Sequence, residues 1–508
     1  MILWCLLLLG AVVRCYGFPD IPPGLNQDEA SAGYDAWALW NHGVDRHGFS
    51  HPVHLVAWGS GQNALYSYLA MPFIALFGLN PLGVRSLSLA FGLFTLVAFH
   101  RFSRAVSDDR TSLWATFLLA VNPWHIMVSR WALESNLFPG IFLIAVWLMV
   151  SAVERPRLLP ASFACFSLSL YAYGPAYLIV PIFLVVATAN LRKLGWRVLL
   201  GSWAVFAVLG LPIALFVIVN LFQLPSLNLG LFTVPRLSTP PRFVEVTSIF
   251  DSTGAVPQLR QNLSRCLQFL WTQSDPRLWN QIPGFGYAYP VHWPFTLLGL
   301  ALLLRNWRAS APCFLVLAWI LAGLALCPCF PVPNINRLNI LFLPLILCTA
   351  VGLNWLITRT GRFSPALGRV TLAGFLCLYL AFFGRFCQAY FKHFPARIGP
   401  LFFEGLGEAI QFAESNAPGP ICLTNQINMP YIYVLFYTQA DPRLFQSTVT
   451  WRRQGGELPA VSFGRYFFGV ASGAPHTSYI WHREEFLGSQ RPGDRVRTFG
   501  NYVVVISQ

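Results

Sequence analysis

The stretch that decides the fold runs from Val198 to Asn220 and reads VLLGSWAVFAVLGLPIALFVIVN. It contains no charged residue, and about 20 residues in a helix suffice to cross the hydrocarbon layer of a bilayer. Similar apolar runs recur from the N-terminus to about Phe386. Each run must be a helix, because lipid cannot satisfy open backbone groups. The sequence therefore predicts an all-α polytopic membrane protein.

Composition leads to the same fold class. Hydrophobic residues make up 55% of the 508 residues and charged residues only 11%, whereas a soluble protein of this size carries about twice that charge. The net charge of +14 does not indicate nucleic acid as a partner, because the basic residues lie in short clusters between the apolar runs.

These basic clusters predict the topology, because short loops rich in Arg and Lys stay in the cytoplasm. The five clusters are Arg101, Arg104 and Arg110; Arg155 and Arg157; Arg192, Lys193 and Arg197; Arg305 and Arg308; and Arg359, Arg362 and Arg369. All five lie inside if eleven helices span the membrane near residues 2–17, 82–100, 111–127, 137–153, 158–174, 176–190, 198–220, 291–304, 312–327, 338–357 and 370–387. The outer face then holds the N-terminal loop 18–81, the turn 122–136, the loop 221–290 and the tail 388–508.

Two segments allow a second interpretation. The first apolar run is short and precedes Gly17, as in a cleaved signal peptide, although it has no basic residue before it. The segment from Gln62 to Leu79 is apolar enough to enter the membrane, but a span here would move every basic cluster outside. An interfacial or re-entrant helix is the better prediction there.

The tail differs from the membrane part, residues 1–387, because acidic and turn residues interrupt its apolar runs. Helical spacing covers Leu401–Ser415, and Asn428 is a candidate cap for a helix that reaches Tyr437. The runs Ile421–Thr424 and Tyr502–Ile506 are typical of strands. The tail, residues 388–508, is therefore predicted to be a separate soluble domain, a small α/β unit on the outer face.

The cysteines predict neither a metal site nor a disulfide framework. Most of the 11 cysteines lie within apolar runs, as small packing residues do. Cys327-Pro328-Cys329 is the one closely spaced pair, and it has no His ligand nearby. A zinc site is therefore not expected.

Candidate catalytic residues gather on the predicted outer face. Asp28 and Glu29 follow the first apolar run, where carboxylates are kept out of lipid but close to it. They indicate either a catalytic acid site or a helix cap worth about 0.3 to 1 kcal/mol. In the next outer turn, Arg130 and Glu134 are four residues apart and would share one face of a helix. They predict a local salt bridge or a ligand site.

Several motifs in this order resemble the polytopic glycosyltransferases of GT-C fold, which include the protein O-mannosyltransferases and the lipid A aminoarabinose transferases. The resemblance covers about three quarters of the chain. Its motifs are Asp28-Glu29-Ala30, Gly61-Gln62-Asn63-Ala64-Leu65-Tyr66-Ser67-Tyr68, Gly83-Val84-Arg85-Ser86-Leu87, Asn122-Pro123 through Arg130 with Glu134-Ser135-Asn136, and Asn336-Arg337-Leu338.

This resemblance implies a glycosyltransferase of the plasma membrane, and a bacterial origin is expected. Its partners would be a sugar donor linked to polyprenyl phosphate, the surrounding lipid and an acceptor outside the cytoplasm. A phosphate leaves readily without protonation, so one base for the acceptor suffices, in an inverting single displacement. Asp28 is the expected base and Glu29 its support, although the reverse assignment remains open.

Other residues receive supporting roles from the same resemblance. Glu134 is a candidate ligand for a divalent cation, Mg²⁺ or Mn²⁺, next to the phosphate. Arginine suits phosphate through its planar fork of donors, so cationic partners for the leaving phosphate are expected. These candidates are Arg337 and Arg130, followed by Arg85 and His125. Trp58 and Tyr66 are candidates for stacking on the sugar or lining the lipid groove. Interfacial anchoring is the alternative for the arginines and aromatics.

Two other classes of protein have similar membrane patterns. A polytopic transporter is expected to carry charges in mid-span or broken helices in matching halves, and neither is evident in the sequence. A noncatalytic protein of envelope-glycan assembly could share the large outer loops. Unlike an enzyme, it would keep its effect when Asp28 and Glu29 are replaced by the amides.

Overall fold

The structure is a computed structural model that describes residues 1–238, 255–452, 457–469, 476–486 and 493–507. Within these ranges, seven helical segments are long and apolar enough to cross a membrane. They are Pro81–Val106, Glu134–Ala152, Ala176–Leu194, Trp196–Leu221, Ala311–Cys329, Ile335–Phe363 and Pro365–Phe402. The predicted all-α polytopic fold is confirmed.

Seven of the eleven predicted spans lie in these seven segments, and each of the other four overlaps one or two shorter helices. The helices of the membrane part are α1 (Ile2–Cys15), α2 (Gln27–His42), α3 (Leu65–Phe77), α4 (Pro81–Val106), α5 (Asp109–Ala120), α6 (Pro123–Val128), α7 (Phe138–Ala152), α8 (Leu159–Leu170), α9 (Ala176–Asn190), α10 (Trp196–Leu221), α11 (Ala255–Thr272), α12 (Trp293–Asn306), α13 (Ala311–Leu324), α14 (Ile335–Leu338), α15 (Phe342–Phe363) and α16 (Pro365–Gln388). The four predicted spans outside these seven segments, at α1, α5, α8 and α12, are helices of 12 to 14 residues.

Helices α12 and α15 touch through their backbones. A methyl group on Gly299 of α12 would lie 1.8 Å from the carbonyl oxygen of Cys348 in α15, and one on Gly352 would lie 2.1 Å from the carbonyl oxygen of Phe295. Small residues permit such close approach between helices in a membrane. The α12–α15 contact is therefore fixed by glycine.

The predicted first outer loop, residues 18–81, contains α2, two short strands and α3. Strands β1 (His54–Leu55) and β2 (Gln62–Asn63) pair in antiparallel fashion. Helix α3 is 13 residues long and contains Pro72, so at 1.5 Å per residue it spans roughly 20 Å, less than the hydrocarbon layer. The segment Gln62–Leu79 is thus a strand followed by a short apolar helix. The predicted outer loop 221–290 contains a hairpin of β3 (Leu227–Asn228) and β4 (Thr233–Val234) and then α11, while its residues 239–254 lie outside the described ranges.

The predicted C-terminal α/β domain is confirmed. In the described part of the tail, seven strands form one mixed sheet in the order β10-β11-β9-β5-β8-β7-β6. They are β5 (Ile421–Leu423), β6 (Thr450–Trp451), β7 (Ala460–Phe463), β8 (Tyr466–Phe468), β9 (Ser478–His482), β10 (Arg495–Phe499) and β11 (Tyr502–Ile506). The helices of this domain are α17 (Phe394–Ile398), α18 (Leu406–Asn416), α19 (Pro430–Thr438) and α20 (Pro442–Thr448). The predicted Asn428 cap is wrong, because Met429 occupies the cap position of α19 with φ 51°.

This domain packs directly on the first outer loop. The Tyr34 hydroxyl in α2 donates a hydrogen bond to the carbonyl oxygen of Ala440 at 2.6 Å, and the Leu25 amide donates to that of Phe402 at 2.6 Å. Buried side chains of the membrane part and of the tail belong to one continuous hydrophobic core. The tail therefore covers α2 rather than lying apart from it.

Candidate functional site

The acidic pair lies in the first turn of α2, at a capping box. The Asn26 side chain accepts a hydrogen bond from the Asp28 amide at 2.9 Å, and the Glu29 carboxylate accepts one from the Asn26 amide at 3.0 Å. This reciprocal pattern starts a helix. The helix-cap interpretation therefore holds for Glu29, and it leaves the Asp28 carboxylate outside the cap.

Glu29 is fully buried in an ion pair. Nε and Nη2 of Arg85, in α4, each donate a hydrogen bond to one of its carboxylate oxygens at 2.8 Å. The Ala132 amide also donates to Oε1 at 2.8 Å. With the Asn26 amide, the carboxylate accepts four hydrogen bonds, as a buried charge requires. Glu29 thus joins α2, α4 and the second outer turn.

Arg85 donates all five of its N–H groups inside the protein. Apart from the two bonds to Glu29, Nη1 donates to the carbonyl oxygens of Pro19 at 2.7 Å and Pro22 at 2.6 Å, and Nη2 to that of Gly24 at 2.9 Å. Arginine has only five donors. In this arrangement Arg85 holds the turn after α1 and offers no donor to a phosphate.

Asp28 points elsewhere and is only half-buried. Nε1 of Trp58 donates a hydrogen bond to its Oδ1 at 3.2 Å. Trp58 itself has φ 57°, a backbone conformation that is rare for bulky residues and often found at functional sites. Of the two adjacent carboxylates, Asp28 is the one that a ligand can reach.

Strand β2 connects Asp28 with the second outer turn. The Gln62 side chain donates a hydrogen bond to the main-chain carbonyl of Asp28 at 3.3 Å. The next residue, Asn63, donates its amide to the Glu134 carboxylate. Strand β2 therefore holds both predicted residues, Asp28 through its main-chain carbonyl and Glu134 through its carboxylate.

Arg337 lies in α14, and the residue after α14 is hydrogen-bonded to the second outer turn. Asn334 caps α14, accepting from the Arg337 amide at 2.8 Å, and the Asn339 side chain donates to the carbonyl oxygen of Ser135 at 2.8 Å. The Arg337 guanidinium donates to the carbonyl oxygen of Val332 at 3.0 Å and lies 5.0 Å from the ring centre of Phe330. It is partly exposed, so it can offer donors to an anion.

Arg130 and His125 serve the packing of α1 in this structure. The fully buried Arg130 donates hydrogen bonds to the carbonyl oxygens of Arg14 and Ile21 and lies over the rings of Tyr390 and Phe391. Nδ1 of His125 lies 2.7 Å from the Arg14 guanidinium. The premise that Arg130 and Glu134 share one helix is wrong, because α6 ends at Val128 and a separate 3₁₀ turn begins at Glu134.

Tyr66 is equally enclosed. Its hydroxyl donates to the carbonyl oxygen of Val84 at 2.9 Å and contacts the Ser88 hydroxyl at 2.8 Å, and its ring is buried. In this conformation the ring joins α3 to α4 and is not open to a sugar. Among the predicted aromatic residues, Trp58 is the one that contacts Asp28.

Sequence reasoning missed a second ion pair beneath Trp58. Nη2 of Arg46 lies 3.0 Å from Oδ2 of Asp35, both side chains are buried, and the guanidinium lies 5.5 Å from the centre of the Trp58 ring. The sequence does contain a signal for this pair. Charged residues are scarce in the chain, and Asp35 and Arg46 lie 11 residues apart in one predicted outer loop. The pair supports the ring that contacts Asp28.

Asp45 completes this buried cluster. Its Oδ1 accepts hydrogen bonds from the amides of His47 and Phe49, both at 2.9 Å. Burial raises the pKa of the Asp45 carboxyl to about 7, and the neighbouring Asp35 charge acts in the same direction. Asp45 is therefore a group of the outer loop that titrates near neutral pH.

The predicted cation has no ready-made site among the described residues. In those ranges, no three His, Cys, Asp or Glu side chains lie close enough together to hold a metal ion. The Glu134 carboxylate accepts the Asn63 amide instead, and a hard cation needs several oxygen ligands. The residues present therefore do not fit the cation.

Solved structures share this architecture, although neither a protein-family model nor a curated protein sequence matches the chain. ArnT from Cupriavidus metallidurans matches with a TM-score of 0.54 in the apo state and 0.56 when bound to undecaprenyl phosphate, at 13% identity over 99% of this chain and 97% of that chain. The Archaeoglobus fulgidus oligosaccharyltransferase in complex with Zn and sulfate matches with a TM-score of 0.51 at 13% identity, over 86% of this chain and 61% of that chain. Both are GT-C glycosyltransferases. The resemblance predicted from the sequence is confirmed at the level of structure: the chain has the GT-C fold, shared with ArnT along almost its whole length.

Proposed function

We propose that this protein is a membrane glycosyltransferase that moves a sugar from a polyprenyl-phosphate carrier to an acceptor on the outer face of a bacterial plasma membrane. One observation carries the proposal. In a chain with the ArnT fold, the acidic pair is divided between a fully buried, ion-paired Glu29 and a half-buried Asp28 beside Trp58. ArnT has been solved with undecaprenyl phosphate bound, which supports the same carrier class here.

Asp28 is the proposed general base. It accepts the proton of the acceptor hydroxyl or amine while that atom attacks the anomeric carbon of the sugar. The bond from this carbon to the phosphate oxygen breaks, and the polyprenyl phosphate leaves with the electron pair. Because the attack comes from the face opposite the phosphate, the configuration of the sugar is inverted. Glu134, held by β2, is the proposed partner that orients the acceptor.

Arg337 is the proposed partner of the departing phosphate. It is partly exposed, and its segment is joined to the Glu134 turn through the bond from Asn339 to Ser135. Arg85 and Arg130 are buried and donate to carbonyl oxygens or to Glu29. Arg337 is therefore the predicted arginine with donors to spare for a phosphate.

The test compares the envelope glycans of three kinds of cell. They produce the wild-type chain, no chain, or the Asp28→Asn variant. Asparagine keeps the shape of the side chain but is not a base, and general-base catalysis typically contributes 10²- to 10⁴-fold. We expect mass spectrometry to show the same sugar missing without the protein and with Asp28→Asn, at equal amounts of protein in the membrane. Asp20→Asn, an exposed carboxylate of the same loop, is the matched control and keeps the sugar.

Glycans that stay complete with Asp28→Asn would contradict the base assignment, and they are what a noncatalytic assembly protein predicts. Glu29→Gln separates the two carboxylates. It leaves Arg85 buried without its charge partner, which costs about 3 to 5 kcal/mol. We therefore expect less folded protein from Glu29→Gln, whereas Asp28→Asn keeps the wild-type melting temperature.

Binding of undecaprenyl phosphate to the purified protein tests Arg337. Losing a hydrogen bond from a charged donor costs about 1.5 to 3 kcal/mol, so we expect Arg337→Gln to weaken binding about 10- to 100-fold. Arg236→Gln removes an exposed arginine of the outer loop and serves as the control for net charge. Equal affinities of the two variants would remove Arg337 from the proposed phosphate site.

A further inference from the structure

Helix α11 packs on the turn that follows α13, and three buried cysteines lie in these two elements. Cys266 of α11 and Cys327 are fully buried, and Cys329 is buried in the same turn as Cys327. Asn262, one helical turn before Cys266 and on the same face, donates its side-chain amide to the carbonyl oxygen of Pro328 at 2.9 Å. This bond places Cys266 against the Cys327–Cys329 turn.

The thiols of Cys266 and Cys327 lie close enough to interact with each other. Two cysteines far apart in sequence but in side-chain contact are a natural pair for oxidation.

We propose that Cys266 and Cys327 form a disulfide bond that fastens α11 to the segment in front of Arg337. This inference rests on the proposed function only for its compartment, because disulfides persist outside the cytoplasm. Cys266 lies in the predicted outer loop 221–290, and Cys327 is at the outer end of the predicted span 312–327, whose other end follows the inner cluster of Arg305 and Arg308. The segment Cys327–Arg337 also contains Phe330 and Val332, which contact the Arg337 guanidinium. The bond would therefore steady the residues around the proposed phosphate partner.

A dithiol–disulfide oxidase of the envelope is the class of oxidant that the step requires. The Cys266 thiolate attacks the disulfide of the oxidase, forms a mixed disulfide and releases one oxidase thiol. The Cys327 sulfur then attacks the Cys266 sulfur and releases the second oxidase thiol. The two protein thiols are thereby oxidised and the oxidase is reduced. Because both thiols are buried in the folded chain, oxidation takes place before α11 has packed.

Peptide mapping of the full-length protein tests the proposal. Membranes are lysed without reductant in denaturant containing N-ethylmaleimide, which blocks every free thiol. We expect a peptide pair joined through Cys266 and Cys327 that separates on reduction, with N-ethylmaleimide on Cys329 and on the exposed Cys5 and Cys15. Cys329→Ala keeps the joined pair, and Cys327→Ala abolishes it.

N-ethylmaleimide on both Cys266 and Cys327 in the unreduced sample would overturn the proposal, as would a joined pair formed by Cys266 and Cys329. The map does not depend on sugar transfer. A chain that contains the bond but transfers no sugar contradicts the proposed function alone, and an active chain with both thiols blocked contradicts the disulfide alone.

Discussion

Asp28 and Glu29 differ in role because consecutive residues of an α-helix point about 100° apart. Glu29 faces α4 and meets Arg85, 56 residues later in the chain, while Asp28 faces Trp58 and β2. A buried carboxylate tolerates its site only when paired and hydrogen-bonded. Asp28, the adjacent residue, is therefore not needed for this ion pair and is available for a catalytic role.

The sequence could predict the acidic pair and Trp58, since charge and order along the chain were enough to place them in one outer loop. It could not predict that Arg85 donates all five of its N–H groups inside the protein. That outcome depends on the carbonyl oxygens of Pro19, Pro22 and Gly24 converging on one guanidinium, and such convergence exists only in three dimensions.

Asp45 predicts a pH-dependent stability. In the folded chain its pKa is raised to about 7, against 3.8 as the ordinary value. Below about pH 4 both the folded and the unfolded chain hold the Asp45 proton, so the free energy of unfolding is at its full value. As pH rises towards about 7, the unfolded chain loses the proton that the folded chain retains, so the free energy of unfolding falls by roughly 2 to 4 kcal/mol.

Thermal unfolding in detergent between about pH 4.5 and 8 measures this effect against Asp45→Asn. Asparagine keeps the Oδ1 acceptor for the amides of His47 and Phe49 and has no proton to lose. We expect the melting temperature of Asp45→Asn to exceed that of the wild type increasingly as pH rises. A constant difference between the two across this range would show that Asp45 is not protonated in the fold.

At the scale of elements, the glycine contact between α12 and α15 gives a prediction of its own. Gly299→Ala places a methyl group where the carbonyl oxygen of Cys348 lies, and overpacking of this kind costs typically 1 to 3 kcal/mol. We expect a lower melting temperature for Gly299→Ala. Gly374→Ala, in the exposed middle of α16 where nothing lies within 4 Å, is the control and should keep or raise it. A Gly299→Ala chain as stable as Gly374→Ala would contradict the backbone contact.

Helices were easier to predict from the sequence than the sheet. A long apolar run such as α10 must be a helix, because lipid cannot satisfy open backbone groups. The short apolar segment Ile421–Leu423 was also correctly predicted to be a strand. The order of the seven described strands was out of reach, because β5 lies between β9 and β8, which both follow it in the chain and pair with it in parallel. Pairing between distant strands is decided by tertiary packing, which local patterns do not encode.

At the scale of the whole molecule, α2 and α19 are expected to open together. Tyr34→Phe removes the hydrogen bond to the half-buried carbonyl of Ala440, at a cost of about 1 kcal/mol. Hydrogen exchange measured by mass spectrometry should then speed up in the peptides of both helices, by about 5-fold or more. Tyr16→Phe changes an exposed tyrosine and should alter neither. Faster exchange in α2 alone would mean that the tail is an independent unit.

The bond from Tyr34 to Ala440 also sets an order of events during synthesis. A chain is made from its N-terminus, and its domains generally fold in that order. Helix α2, with the acidic pair in its first turn, emerges early, yet the residues that cover it come from the last quarter of the chain. The ribosome must therefore nearly finish translation before the outer face of α2 has its native cover. Nascent chains stalled before Ala440 would already contain every membrane helix but would lack a completed site.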